Sequence, residues 1–178
     1  MCDAVIVGAG TVAADDPLLT TRRVPGRDAT RVVLDPTLRL PPASHVLQNS
    51  DAPTLWLCDA RCHDQRLSSA VAARVLAIPG LLGADGVLDA AAALWALAAL
   101  GLRVLFVEGG GVTVSRFLQQ GLLDRLHLAV APVLIGDGRR GLRLPASGTM
   151  ADCLRPRGRV VHMGDDVLWD FALAGATG

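Results

Sequence analysis

Residues 103–121 of this chain, RVLFVEGGGVTVSRFLQQG, restrict its fold more than any other stretch. Val104 through Val107 form a short apolar run of the kind expected of a strand buried on both faces. The run ends in Glu108 and three glycines, Gly109, Gly110 and Gly111. A helical pattern follows, with Val114, Phe117, Leu118 and Leu122 on one face and Gly121 placed to end it. Strand, glycine turn and helix in this order let backbone N–H groups approach an anion closely, and the helix N-terminus adds about half a positive charge. Glu108, at the carboxyl end of the strand, is placed beside that anion site and can accept hydrogen bonds from a polar ligand. The same residues also fit a plain αβ turn that binds nothing.

Length and charge narrow the class. At 178 residues the chain is one domain, or one domain with a small appendage. Its seventeen basic residues are all arginine and balance seventeen acidic ones, which removes the electrostatic case for nucleic acid or an anionic membrane. The absence of lysine excludes Schiff-base chemistry, and the absence of tyrosine excludes a tyrosine-dependent dehydrogenase. No apolar run reaches the length of a spanning helix. The most apolar stretch, 87–102, carries Asp89 and Gly101 and reads as a buried or half-buried helix. Cys2, Cys58, Cys62 and Cys153 are spaced too irregularly for a disulfide framework, and no leader precedes the first strand, so a cytoplasmic protein is expected. Cys58, Cys62 and His63 lack a second pair to complete a metal site, so no metal is expected. The four histidines are scattered, and no G-x-S-x-G elbow supports a hydrolase triad.

In chain order, residues 3–8 read as a buried strand, and Gly8-Ala9-Gly10-Thr11-Val12-Ala13 formally matches the dinucleotide fingerprint G-x-G-x-x-[GA]. A second strand at 31–35 ends in Asp35, 25 residues after Gly10. The Rossmann reading nevertheless fails, because Pro17 and then Pro25-Gly26 leave no room for its three-turn first helix. Residues 15–23 read instead as one helical turn and an extended loop. That loop carries carboxylates, threonines and Arg22 to the carboxyl end of a buried strand, where open α/β sheets bind ligands. Arg22 can hold a phosphate bidentately, with hydroxyl donors from Thr11 and Thr20. A solvated connecting loop has the same composition. A loop is expected over 36–53, strands at 54–58 and 75–78, and a short helix over 64–73 with Leu67, Ala70 and Val71 on one face. Asp89 caps the alanine-rich helix. Residues 126–131 alternate, and 159–163 and 167–173 form a hairpin around Gly164-Asp165-Asp166. The expected fold is α/β: a mixed sheet, mostly parallel with an antiparallel C-terminal hairpin, and helices on both faces.

Two motifs in this order resemble one family. The run from Asp3 through Gly8-Ala9-Gly10-Thr11 and Asp15-Asp16-Pro17-Leu18-Leu19-Thr20-Thr21-Arg22 is similar to the first signature of the riboflavin-pathway pyrimidine reductases, the reductase domain of the bifunctional deaminase–reductase. Val107-Glu108-Gly109-Gly110-Gly111, Phe117-Leu118, Gly121-Leu122-Leu123-Asp124, Ala131-Pro132 and Ile135-Gly136-Asp137-Gly138 resemble its second. The resemblance spans nearly the whole chain and implies a dihydrofolate-reductase-like fold, NADPH as hydride donor and a homodimer. The implied reaction reduces the ribose of a 5-phosphoribosylamino-pyrimidine to a ribityl chain by hydride transfer to C1. By position, it implies cofactor contacts from Thr11, Asp15, Gly110, Gly111, Val112, Thr113, Val114, Ser115 and Arg116. Leu19, Arg22 and Glu108 would contact substrate, with Asp15 the nearest titratable group for proton transfer and Glu108 the second catalytic carboxylate. Arg22, Arg23, Arg27, Arg31 and Arg39 are available in the sequence for a 2′-phosphate.

Three departures accompany the resemblance. The chain begins about where the family's second strand would start, so a reductase domain over 1–178 without the first strand and helix is expected, from a misassigned start or a truncated copy. Pro36 stands where the family often places a cofactor-contacting serine. The zinc deaminase signature is absent. A related reductase of another heterocycle, and a non-catalytic nucleotide-binding remnant, are the alternatives.

Overall fold

The computed structural model describes residues 2–22, 25–64 and 69–173. It divides into two compact units, Met1–Val114 and Ser115–Gly178. The first is a five-stranded parallel sheet in the order β4-β3-β2-β1-β5. Its strands are β1 (Ala4–Gly8), β2 (Thr30–Leu34), β3 (Thr54–Asp59), β4 (Arg74–Ile78) and β5 (Leu105–Val107). The register pairs Ile6 of β1 with Val32 of β2 and with Val107 of β5. The continuous apolar runs of the inner strands match their position. All six residues of β3 are buried, as is nearly all of β1 and β2, which is what a sheet covered on both faces requires. Val7, Val12, Val33, Val46, Leu47 and Trp56 share one core cluster.

Helix α1 (Ala9–Asp15) follows β1 directly and stops at Asp16, whose φ of 38° is left-handed, just before Pro17. The helical segment therefore spans two turns over Ala9–Asp15, ending two residues before Pro17, and residues 16–22 are irregular. A second short helix, α2 (His45–Gln48), interrupts the loop expected over 36–53. Prolines on either side hide its periodicity, but Val46 and Leu47 are fully buried and draw the turn onto the core. Of the helix expected over 64–73, residues 65–68, Leu67 among them, lie outside the described residues; Val71 packs against the core cluster.

Helix α3 (Ala90–Ala99) begins at Asp89, whose carboxylate accepts from the N–H groups of Ala91 (2.9 Å) and Ala92 (3.2 Å). Ala90, Ala93 and Leu97 form its buried face, while Trp95 is exposed. β5 departs from its expected place. It lies at the sheet edge, paired only with β1, and Val104 and Phe106 remain about half exposed. Burial on both faces needs packed layers above and below the sheet, and at this edge, among the described residues, the face that carries Val104 and Phe106 is left partly uncovered.

Helix α4 (Gly111–Gln119) spans the division between the units. In the second unit, β6 (Arg125–Val130), β7 (Arg157–Met163) and β8 (Asp166–Ala172) form an antiparallel sheet in the order β6-β8-β7. The β7–β8 hairpin turns at Gly164, where φ is 71°. Parallel and antiparallel parts are thus both present, hydrogen-bonded as separate sheets. The pleat puts Arg125, His127, Arg159 and Asp170 on one face of the small sheet and Leu126, Leu128, Trp169 and Phe171 on the other. Asp170 is buried beneath Arg125, Arg159 and His127. Hydrogen bonds from Arg125 and then Arg159 hold its carboxyl well below the ordinary range. Trp169 and Phe171 stack with centroids 5.6 Å apart, and Phe171 lies over Gly158, where a Cβ would come within 2.6 Å of its ring.

Candidate active site

Because β1 and β5 are parallel neighbours, their carboxyl ends bring two glycine segments, 8–11 and 109–113, side by side. The contact between them is close and specific. The Gly110 N–H donates to Thr11 Oγ1 at 3.0 Å. Gly109 has a φ of 92°, open to glycine, and a Cβ there would lie 3.0 Å from Thr11 Oγ1. A Cβ on Gly8 would lie 2.2 Å from Thr113 Oγ1, so the first turn of α4 fits against β1 only because residue 8 has no side chain. Gly10, by contrast, faces open space and has no steric reason to be glycine. The formal G-x-G-x-x-[GA] match therefore does not use its second glycine as a dinucleotide turn would.

At the mouth of this cradle, the Glu108 N–H continues the ladder by donating to Ile6 O (2.8 Å), leaving its side chain exposed. Thr113 donates to Gly110 O (3.0 Å). Gly111 and Val112 stand at the helix start, where N–H groups have no intrahelical acceptor. Val114 is half-buried. Ser115 and Arg116 belong to the second unit; Ser115 is buried and its hydroxyl accepts from the Arg143 N–H (2.7 Å), while Arg116 is half-buried. Asp15 is exposed at the last position of α1.

The loop 16–22 is held at three points. Asp16 accepts from the His45 N–H (2.9 Å) and pairs with His45 Nδ1 (2.8 Å). Leu18 O accepts from Arg31 Nη1 (3.1 Å), and Asp28 Oδ1 accepts from the Thr21 N–H (2.6 Å). Between these ties Leu19 takes a φ of 54° and packs on the core cluster, and Arg22 is exposed. A left-handed leucine costs about 1–2 kcal/mol and persists only where its surroundings over-determine it.

Of the arginines available for a 2′-phosphate, Arg31 is removed: it is fully buried and engaged with protein acceptors. Arg23 lies outside the described residues, Arg27 is exposed, and Arg39 lies 3.8 Å from Asp35. No three metal-ligating side chains cluster among the described residues. Cys58 is buried, which first of all, with Cys62 adding to it, pushes its thiol up to about 11.

Two buried acids close neighbouring strands of the same sheet without any motif to announce them. Asp35, at the end of β2, accepts from Leu40 N–H (2.9 Å) and Trp56 Nε1 (3.2 Å). Asp59, at the end of β3, accepts from Arg61 Nε (2.7 Å), Arg61 N–H (2.9 Å) and Leu82 N–H (2.8 Å). The only sequence signal for either was an acid closing an apolar strand.

Comparison with known proteins gives a consistent result. The RibD C-terminal domain family matches residues 1–154. A 2,5-diamino-6-ribosylamino-4(3H)-pyrimidinone 5′-phosphate reductase of Methanothermobacter thermautotrophicus is 32% identical over 180 residues, covering 98% of this chain and 81% of that protein. The riboflavin biosynthesis protein RibD of Aquifex aeolicus is 34% identical over 136 residues, which is 76% of this chain and 36% of that protein. The solved structure of Acinetobacter baumannii RibD matches with a TM-score of 0.79 at 26% identity, covering 97% of this chain and 47% of that one. The chain thus spans less than half of these RibD proteins and about four-fifths of the archaeal reductase.

Proposed function

The chain belongs to the RibD C-terminal domain family, and from that membership we propose that it reduces the ribosyl group of a 5-phosphoribosylamino-pyrimidine to a ribityl chain in riboflavin biosynthesis. NADPH is the hydride donor in this reading, and the working form is a homodimer. The observation that carries the proposal is the double glycine cradle, in which Gly8, Gly109 and Gly110 clear the space that Thr11 and Thr113 fill. Such a close approach of two strand ends leaves backbone facing the ligand position, as a dinucleotide pyrophosphate needs.

The residues present fit that cofactor. Gly111 and Val112 offer N–H groups at the helix start, Thr113 and Val114 complete the first turn, and Thr11 locks the glycine loop that presents them. The bound dinucleotide supplies the hydride. Glu108 accepts hydrogen bonds from the polar substrate, Arg22 holds its phosphate, and Leu19 offers an apolar contact on the same loop. Asp15 is the titratable group assigned to proton transfer. Holding the reacting carbon and the donor in one geometry is the protein's main contribution to rate.

Purified protein tests this directly. Substrate-dependent loss of the reduced-nicotinamide absorbance, with tighter binding of NADPH than NADH, is the expected outcome. Saturable binding without turnover would instead identify a nucleotide-binding remnant. Glu108→Gln and Arg22→Ala should each lower kcat/KM by roughly 10- to 150-fold, the worth of a charge-assisted hydrogen bond of about 1.5–3 kcal/mol. The circular dichroism of both variants should match the parent. Near-normal turnover in both would remove the substrate-site assignment.

A further inference from the structure

Arg31 sits in β2 between β1 and β3, and it is fully buried. Each of its five N–H groups has an acceptor. Nε donates to Thr54 Oγ1 (2.8 Å), Nη1 to Leu18 O (3.1 Å) and Asn49 Oδ1 (3.2 Å), and Nη2 to Asn49 O (2.5 Å) and Ala52 O (2.7 Å). None of these acceptors is a carboxylate. A buried guanidinium satisfied by neutral oxygens is an expensive way to close a loop, since the charge loses its hydration. Asp28 and Asp51 supply the opposing field from further off, and each is tied to one of the loops that Arg31 holds: Asp28 to Thr21, Asp51 to Asn49.

We propose that Arg31 is a positioning residue for substrate: its guanidinium orients the loop 16–22 and thereby places Leu19 and Arg22. The inference rests on the reading that this loop contacts substrate. The Leu18 carbonyl that Arg31 grips belongs to the peptide joining Leu18 to Leu19, so the bond sets the plane from which the left-handed φ of Leu19 departs. The Thr21–Asp28 tie closes the same stretch from the other side, so the two bonds bracket Leu19 and Thr20, and Arg22 follows directly on the second of them. The cofactor cradle of Thr11 and Gly110 shares none of these bonds. Loss of the Arg31 grip should therefore act on substrate and leave the dinucleotide alone. A purely architectural arginine would show no such selectivity.

Two variants test the idea. Arg31→Lys keeps the charge but reaches fewer acceptors. Asn49→Ala removes the Oδ1 acceptor that holds Nη1 in register with Leu18 O, and it leaves the buried arginine in place should Arg31→Lys fail to fold. Each is expected to raise KM for the phosphorylated substrate about tenfold, the worth of one such hydrogen bond, with the dissociation constant for NADPH unchanged. Combined with Arg22→Ala, the Arg31→Lys effect should largely vanish, because the residue it positions is gone. Tryptic cleavage after Arg22 should speed up severalfold in both single variants. Unchanged substrate KM and unchanged cleavage in a folded variant would overturn the proposal, as would KM and NADPH affinity weakening together. If the parent protein turns over no phosphoribosylamino-pyrimidine, the functional reading fails by itself, and the cleavage rate alone then decides whether Arg31 orders the loop.

Discussion

Asp59 shows how a single carboxylate can secure the end of a strand. Its side chain is buried, and hydrogen bonds from the Arg61 side chain, then from the Leu82 and Arg61 backbone, hold its pKa well below the ordinary 3.8. A carboxyl whose folded pKa is depressed stabilises the fold in full above its unfolded value. That contribution drains as the pH falls from about 3.8 through the folded value. The parent should therefore lose urea resistance between pH 4 and pH 2.5, relative to Asp59→Asn measured over the same range. Asp59→Asn should be the less stable protein at pH 7, with the gap closing on acidification. An unchanged gap would show that the native pairing does not set the titration. Asp35 belongs to the same scale, but its role is to fix Leu40 and the Trp56 indole from the end of β2.

Elements carry the next constraint, which is clearance between neighbours. The first turn of α4 reaches β1 because Gly8 has no Cβ to meet Thr113 Oγ1. Gly8→Ala should cost about 1–3 kcal/mol by overpacking, read as a lowered thermal midpoint. Thr113→Ala in the same chain should restore most of the loss, since it removes the atom that clashes. A Gly8→Ala protein as stable as the parent would mean that α4 shifts freely. The hairpin of β7 and β8 uses the opposite arrangement, with Phe171 covering the bare backbone of Gly158. Its alternation was readable in the sequence, as were the inner strands and the Asp89 cap of α3. The four-residue α2 was not, because two buried side chains between prolines leave no period to detect.

Over the whole molecule, seventeen arginines against seventeen acids leave no formal net charge at pH 7, and the isoelectric point is about 6.9. Self-repulsion is least there, so solubility should pass through a minimum near neutrality and rise on either side and with moderate salt. Light scattering across pH 5–9 checks this; a flat profile would point to local patches as the controlling feature. The charge is balanced in sum but not in place. One face of the small antiparallel sheet gathers Arg125, Arg157, Arg159 and His127 around Asp170.

What the sequence determined by itself is local. Apolar runs closed by glycine or an acid specify the strands of the parallel sheet, and the glycine triplet at 109–111 specifies the turn into a helix start. The paired signatures around Thr11 and Glu108 pointed to the family. What only the tertiary structure decided is neighbourhood. β5 has the composition of an inner strand yet lies at an edge, because composition reports how apolar a strand is and says nothing of how many strands stand beside it. Arg31 read as one more available cation, and folding enclosed it among the oxygens of Thr54, Asn49, Ala52 and Leu18. Those partners come from two separate segments of chain, the loop at Leu18 and the stretch from Asn49 to Thr54. No spacing rule relates them, since only the packed sheet brings them within hydrogen-bond reach.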